Sequence, residues 1–152
     1  MLDFYFIGTS GKVPQLHRRL TSAMLRPEGD ITLIDAGEGT QLGISKSGWS
    51  AKSISTILIT HLHADHVLGL AGVLLQIHNS GRTDRIIIAG PKGVKRYVNS
   101  LYLVLPTLKY PIYFIELTGD SDFILANTLE IDAFKLNHSV SCYGYSFYFR
   151  HF

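Results

Sequence analysis

The residues best suited to chemistry in this chain lie in one short segment, residues 60–66 (Thr-His-Leu-His-Ala-Asp-His). His61 and His63 are two positions apart, so in an extended stretch their side chains project from the same side. Asp65 and His66 follow at the point where the chain is predicted to turn into a helix. Histidine nitrogen and carboxylate oxygen suit zinc or manganese at neutral pH. Ions held in this way polarise a phosphoryl or carbonyl oxygen and lower the pKa of a nearby water.

Each of these residues also has an ordinary structural explanation. A single histidine in such a position is typical of a surface or capping residue. Asp65 is favoured in a first helical turn because the helix dipole attracts negative charge there. The full pattern His-x-His-x-Asp-His favours metal binding instead, since two kinds of ligand converge on a few positions at a strand-to-helix junction.

The segments around this cluster predict strands that alternate with helices. Strands are predicted over 2–7, 21–26, 31–35, 54–60 and 85–89, and helices over 40–46, 64–79 and 92–105. Apolar residues recur with helical spacing over a wide arc of 64–79. Residues 110–152 are mostly strand-like, with turns at 119–120 and 126–127. This alternation predicts an α/β layered fold.

The composition is that of one globular domain. The chain has 152 residues, of which 46% are hydrophobic and 17% charged, so we expect no general disorder. A net charge of +2 is too small to indicate nucleic-acid binding by itself. The single cysteine, Cys142, excludes an internal disulfide framework. Apolar runs are too short for a membrane-spanning helix, so we expect a soluble, cytoplasmic protein with no membrane partner.

Three further motifs accompany the histidine segment. They are Phe-Ile-Gly-Thr-Ser-Gly at 6–11, Asp-Ala-Gly-Glu-Gly-Thr-Gln at 35–41, and Gly-Pro-Lys-Gly at 90–93. The histidine motif is the signature of the metallo-β-lactamase fold, and in this combination the sequence resembles ribonuclease Z, the endonuclease that trims the 3′ ends of precursor tRNAs. The resemblance extends across almost the whole chain.

The resemblance implies a four-layer αββα sandwich, of which the domain 1–152 represents the N-terminal half, with one mixed sheet and flanking helices. It implies a zinc-dependent phosphodiesterase acting on precursor tRNA, with two zinc ions in the complete family and manganese as an alternative. Asp65 is the implied general base. The implied metal ligands are His61, His63, Asp65, His66 and His138.

The resemblance brings in His138 because a histidine followed by a Gly-Tyr pair, here Gly144 and Tyr145, is a metal ligand in the family. Basic residues elsewhere are candidates for phosphate contacts. The candidates are Arg18, Arg19 and Lys92, for which a solvated charged surface is an equal alternative. We assign His78 a structural role and His151 no role.

Two departures from the family pattern limit this interpretation. In the first loop, Leu16 and Arg19 stand where lysine and asparagine are usual, while Pro14 and Arg18 match, so we expect a different cleavage-site preference. Family members are also much longer. Their metal-bridging aspartate and last histidine ligand lie beyond the position of Phe152, so we expect a domain truncated at its C-terminus.

The shorter length has consequences for the metal site and for assembly. The first ion would keep three histidines, while the second would keep only Asp65 and His66 and would bind weakly. A sheet face left uncovered predicts a homodimer with two-fold symmetry. Two alternatives remain: another hydrolase of the same fold, such as a phosphodiesterase of small cyclic nucleotides, or a catalytically inactive metal-binding fragment.

Overall fold

The chain forms two β-sheets that pack face to face, with helices on the other face of the larger sheet. This architecture is seen in a computed structural model that describes residues 1–150. His151 and Phe152 lie outside the described residues. The strands of the larger sheet are β1 (Leu2–Gly8), β2 (Ser22–Pro27), β3 (Ile31–Ile34), β4 (Ile54–Leu58), β5 (Ile86–Pro91) and β6 (Ile112–Leu117). Those of the smaller sheet are β7 (Ser121–Leu125), β8 (Leu129–Leu136) and β9 (Cys142–Phe149).

The larger sheet is mixed and follows chain order from β1 to β6. The pairs β1–β2 and β2–β3 are antiparallel, and the pairs from β3 to β6 are parallel. The helices are α1 (Thr40–Ser47), α2 (Ala64–Val67), α3 (Leu70–Asn79) and α4 (Val94–Leu101), with a short 3₁₀ turn at Ala51–Ser53. Every residue of β4 and β5 is buried, as expected for parallel strands covered on both faces. The predicted α/β fold, a mixed sheet with flanking helices, is confirmed.

The smaller sheet corrects one expectation from the sequence. The sheet face opposite the helices was expected to be uncovered, but β8 packs Ile131 and Ala133 against Leu58, Ala89 and Leu117 of the larger sheet. The strand pattern of 110–152 was visible in the sequence. Its partner was not, because the packing of two sheets depends on contacts between residues far apart in the chain.

An uncovered apolar strip remains at the β1 end of the larger sheet. Leu2, Phe4 and Phe6 are 43%, 48% and 68% exposed, while the alternating Tyr5 and Ile7 face the helix-side core. Because side chains alternate along a strand, the three exposed residues share the face toward the smaller sheet. The smaller sheet covers β3 to β6 and does not reach β1.

The predicted helix over 64–79 is in fact two helices, α2 and α3, separated at Leu68 and Gly69. The backbone N–H of Gly69 donates to the carbonyl of Ala36 (2.9 Å). A Cβ atom on Gly69 would lie 2.0 Å from the carbonyl oxygen of Gly37, far inside any allowed contact. This close approach of two backbones interrupts the helix, and helical periodicity alone gives no sign of it.

None of the helices within residues 1–150 has the length and apolar character needed to cross a lipid bilayer.

Substituting Gly69 by alanine tests the importance of this backbone contact. Because the methyl group would meet the rigid carbonyl of Gly37, we expect Gly69→Ala to lower the free energy of unfolding by about 3 kcal/mol. The control is Gly11→Ala, where a Cβ meets nothing within 4 Å and the effect should stay below about 1 kcal/mol. Urea denaturation measures both. Equal stability of the two variants would contradict the packing argument.

Candidate metal centre

The candidate ligands meet at the carboxyl-terminal edge of the parallel strands, where sites of α/β sheets commonly form. Strand β4 leads directly into Thr60 and His61, and β3 leads into Asp35. His138 comes from the loop between β8 and β9, so the smaller sheet also contributes to the site. Neither sheet alone carries all the candidate ligands.

Three histidines have the spacing of a metal-binding triad. The ligand atoms of His61, His63 and His138 all lie within 4.8 Å of one another. His63 Nδ1 and His138 Nε2 are 3.3 Å apart. Two nitrogens on a tetrahedral zinc ion are about 3.4 Å apart, given Zn–N bonds of about 2.0–2.1 Å. His63 and His138 therefore have the spacing of two ligands on one zinc ion, and His61 lies close enough to complete the triad.

Asp65 and His66 form a second group beside this triad. His66 Nε2 lies 3.7 Å from Asp65 Oδ2, and the rings of His61 and His66 have centroids 4.1 Å apart. These two residues offer one carboxylate oxygen and one imidazole nitrogen. The structure thus brings together all five residues that the sequence analysis named as ligands, three in one group and two in the next.

The electrostatic surroundings suit these residues as ligands. Burial, and then the neighbouring His66, lower the pKa of His61, so its imidazole stays neutral and can donate a lone pair. The backbone N–H of Lys12 donates to Asp65 Oδ2 (3.0 Å) and lowers the pKa of that carboxyl. A hydrogen bond with Asp35 raises the pKa of His66. A metal ion must therefore compete with a proton more strongly at His66 than at His61.

Asp35 is a site residue whose role the sequence analysis did not identify. Its carboxylate is buried and accepts three hydrogen bonds, two from Thr60 (N, 2.8 Å; Oγ1, 2.7 Å) and one from His66 Nδ1 (2.7 Å). Its backbone is left-handed, with φ +57°, which Asp tolerates better than most residues. The sequence feature that could have identified Asp35 is its position as a carboxylate directly after a buried apolar strand.

Two tyrosines bind the smaller sheet to the edge that carries the histidines. The backbone N–H of Tyr143 donates to Thr60 O (2.9 Å), and the hydroxyl of Tyr145 donates to Ile59 O (2.7 Å). Burial raises the pKa of the Tyr145 hydroxyl, so it remains a donor. These bonds fix β9, and with it the loop of His138, against the end of β4.

The candidate phosphate-binding residues lie in the segments that follow β1 and β5. Arg18 and Arg19 belong to the loop between β1 and β2 and line a cavity with Lys46 of α1. The same loop reaches Asp65 through the Lys12 hydrogen bond. Lys92 is exposed in the turn between β5 and α4.

His78 lies in α3, away from the ligand cluster. Its Nδ1 accepts a hydrogen bond from the backbone N–H of Lys109 (3.2 Å). This bond ties α3 to the segment before β6, in agreement with the structural role expected from the sequence.

Curated relatives match nearly the whole chain. The protein named Ribonuclease Z from Lachnospira eligens is 48% identical over 146 residues, which cover 96% of this chain and 48% of that protein. The Ribonuclease Z of Lachnoclostridium phytofermentans is 46% identical with the same coverage. The chain therefore spans about half the length of the curated relatives it matches.

Solved structures show the same fold. The short form of human tRNase Z superposes with a TM-score of 0.89 at 29% identity. The match covers 98% of this chain and 65% of the human protein. The metallo-β-lactamase fold protein YhfI of Bacillus subtilis superposes with a TM-score of 0.78 at 18% identity. The match covers 97% of this chain and 57% of YhfI. The metallo-β-lactamase fold expected from the histidine motif is thus confirmed.

A family model described as Anti-Pycsar protein Apyc1 matches residues 2–151. The resemblance to ribonuclease Z is confirmed by the curated relatives, which match nearly all of the chain, and by the fold that the chain shares with human tRNase Z. By the extent of the family match, the chain belongs to the family described as Anti-Pycsar protein Apyc1, and it resembles one half of ribonuclease Z.

Proposed function

We propose that this chain is the metal-binding half of a zinc-dependent endoribonuclease that removes 3′ trailers from precursor tRNA. The observation that carries the proposal is the convergence of His61, His63 and His138 beside Asp65 and His66, in a chain 48% identical to a protein named Ribonuclease Z. The proposal includes a cytoplasmic location, where Cys142 would remain reduced.

The donor set fits divalent ions of borderline softness. His61, His63 and His138 would hold the first ion, and Asp65 with His66 would contribute to a second. Zinc accepts this mixture of imidazole and carboxylate, and manganese is the alternative. When bound, the ions supply Lewis acidity toward a phosphodiester oxygen.

Asp65 is the residue we assign to orienting the attacking water. Its lowered pKa keeps the carboxyl ionised and makes it a weak base at neutral pH. An ionised carboxylate accepts a hydrogen bond from water and so fixes the direction of the water lone pair. As the general base implied by the resemblance, the same carboxylate would orient the water or take its proton.

The loop between β1 and β2 is the proposed contact with the RNA backbone. Arg18 and Arg19 offer guanidinium groups at the cavity beside α1, and Lys92 offers an ammonium from the turn before α4. Leu16, which stands where the family usually has lysine, is 99% exposed. It is thus free to contact substrate, which supports a changed preference at the cleavage site.

Two other functions keep specific support. The family match carries a description other than ribonuclease Z, so we keep the other hydrolase of the same fold, such as a phosphodiesterase of small cyclic nucleotides, as an alternative to test. The second group has only two ligands among the described residues, which favours an inactive metal-binding chain. Metal binding and the identity of the substrate that is cleaved distinguish both from the leading proposal.

Metal binding is the first test. Because three histidines converge and the second group has two residues, we expect one tightly bound zinc ion and a second that binds weakly. His61→Ala or His63→Ala should remove the tight site, as measured by isothermal titration calorimetry. The control His17→Ala, an exposed histidine outside the cluster, should bind zinc like the wild type. Failure to bind zinc or manganese after reconstitution would refute the site.

Cleavage of precursor tRNA is the second test. We propose a chimera in which this chain replaces the matched half of the Lachnospira eligens relative. The chimera should cleave at the 3′ trailer at least about 100-fold faster than the isolated chain, because acid–base and charge-stabilising groups each contribute that much or more. Asp65→Ala should abolish cleavage, and the exposed control Asp122→Ala should not.

The substrate control for this assay is a cyclic nucleotide. A chimera that binds metal and hydrolyses only the cyclic nucleotide would favour the smaller substrate. Robust cleavage of precursor tRNA by the isolated chain, lost in Asp65→Ala, would show that its five ligands suffice. A metal-loaded chimera with neither activity would favour the inactive alternative.

Self-association is the third test, since we propose a homodimer through the apolar strip of β1. Phe4 and Phe6 are exposed on one face of β1, and covering them in a two-fold dimer removes apolar surface from water. Sedimentation velocity at micromolar concentration should show a dimer that Phe6→Lys weakens. The control Leu16→Lys, also exposed but in the loop, should leave it unchanged. A wild-type monomer that binds no apolar dye would contradict the proposal.

A further inference from the structure

The hydroxyl of Thr60 lies between a buried carboxylate and a candidate metal ligand. Thr60 Oγ1 is 2.7 Å from Asp35 Oδ2 and 2.9 Å from His61 Nδ1. A hydroxyl has one proton, and a carboxylate can only accept hydrogen bonds, so the Thr60 proton points to Asp35. Thr60 Oγ1 must then accept from His61. The ring proton of His61 is therefore on Nδ1, and the Nε2 lone pair is free.

The same carboxylate oxygen also determines the proton position in His66. His66 Nδ1 lies 2.7 Å from Asp35 Oδ2, so this nitrogen must carry a proton to make the bond. In the neutral ring, His66 Nε2 then keeps its lone pair, and this is the nitrogen that faces Asp65 Oδ2 at 3.7 Å. Asp35 Oδ2 thus accepts one hydrogen bond from the Thr60 hydroxyl, which in turn contacts His61, and a second directly from His66.

We propose that Thr60 is a positioning residue whose hydroxyl donates a hydrogen bond to Asp35 and accepts one from His61. Asp35 Oδ2 thereby sets the ring tautomer of one ligand in each metal group, through Thr60 for the three-histidine group and directly for the Asp65–His66 group. The inference rests on the proposed metal centre. It adds a residue, Thr60, that would act on the metal site through its hydrogen bonds to Asp35 and His61.

The acceptor is held too firmly to rotate away. Asp35 is 2% exposed, and its Oδ1 accepts the backbone N–H of Thr60 (2.8 Å). Its backbone N–H donates to Leu58 O (2.8 Å), and its carbonyl accepts from Ser22 Oγ (2.8 Å). The Asp35 carboxylate therefore presents Oδ2 in one fixed direction to the Thr60 hydroxyl.

Loss of the Thr60 hydroxyl would remove the acceptor for His61 Nδ1. His61 is 7% exposed, so water cannot readily replace that acceptor. The neutral ring can then move its proton to Nε2 and block the lone pair needed by a metal ion. Only the minor tautomer would bind, which lowers the apparent metal affinity by the fraction of that tautomer.

The experiment compares Thr60→Val with Thr60→Ser in the full chain labelled with ¹⁵N-histidine. Two-bond nitrogen–proton couplings in the metal-free protein report which ring nitrogen carries the proton, at a pH above the usual pKa of histidine. We expect Nδ1–H at His61 in the wild type and in Thr60→Ser. In Thr60→Val we expect mostly Nε2–H at His61, with His66 unchanged.

Zinc titration of the same three proteins supplies the second measurement. The tight site should weaken about 10- to 100-fold in Thr60→Val and by less than about threefold in Thr60→Ser. The matched control is Thr56→Val on β4, because Thr56 is 1% exposed and its Oγ1 has no hydrogen-bond partner among residues 1–150. Thr56→Val should alter neither the His61 tautomer nor the zinc affinity.

Several results would overturn the inference. They are a wild-type His61 with its proton on Nε2, a Thr60→Val protein that keeps Nδ1–H, and an unchanged zinc affinity in that variant. The wild-type spectrum decides even if Thr60→Val fails to fold. No measurement here involves RNA, so a failure to cleave precursor tRNA would count against the proposed function and leave the tautomer inference standing.

Discussion

A single buried carboxylate, that of Asp35, organises the edge of the sheet on which the candidate site is built. It accepts hydrogen bonds from the backbone and side chain of Thr60 and from the ring of His66. A buried carboxylate without such donors would be strongly disfavoured, so this residue and its donors depend on one another. The left-handed backbone of Asp35 directs its side chain across the end of β4.

The site also requires both sheets. His61 and His63 follow a strand of the larger sheet, whereas His138 belongs to a loop of the smaller one. Hydrogen bonds from Tyr143 and Tyr145 to the end of β4 hold the two parts in register. The geometry of the histidine triad therefore depends on the hydrophobic contact between the sheets, because a shift of β9 would move His138 with it.

The apolar surfaces left by this arrangement are unequally distributed. The helix-side face of the larger sheet is covered, while the β1 strip and the outer face of the smaller sheet are not. The exposed residues of that outer face are Phe123, Leu125, Phe134, Leu136 and Tyr148. Since the relatives are about twice as long as the matched segment, such surfaces are consistent with a chain that matches half of a sandwich.

The sequence by itself determined which residues are candidate ligands and which elements surround them. These are an apolar run that leads into His-x-His-x-Asp-His, a later His138, and alternating strands and helices. The histidine segment and the alternation of elements are local, so spacing and residue type suffice to predict them, whereas His138 was implied by the resemblance to ribonuclease Z. Only the tertiary structure decided three others: the interruption at Gly69, the packing of β7–β9 on the larger sheet, and the roles of Asp35 and Thr60. Each of these depends on atoms from distant segments that approach within a few ångströms, and no periodicity in the chain records such an approach.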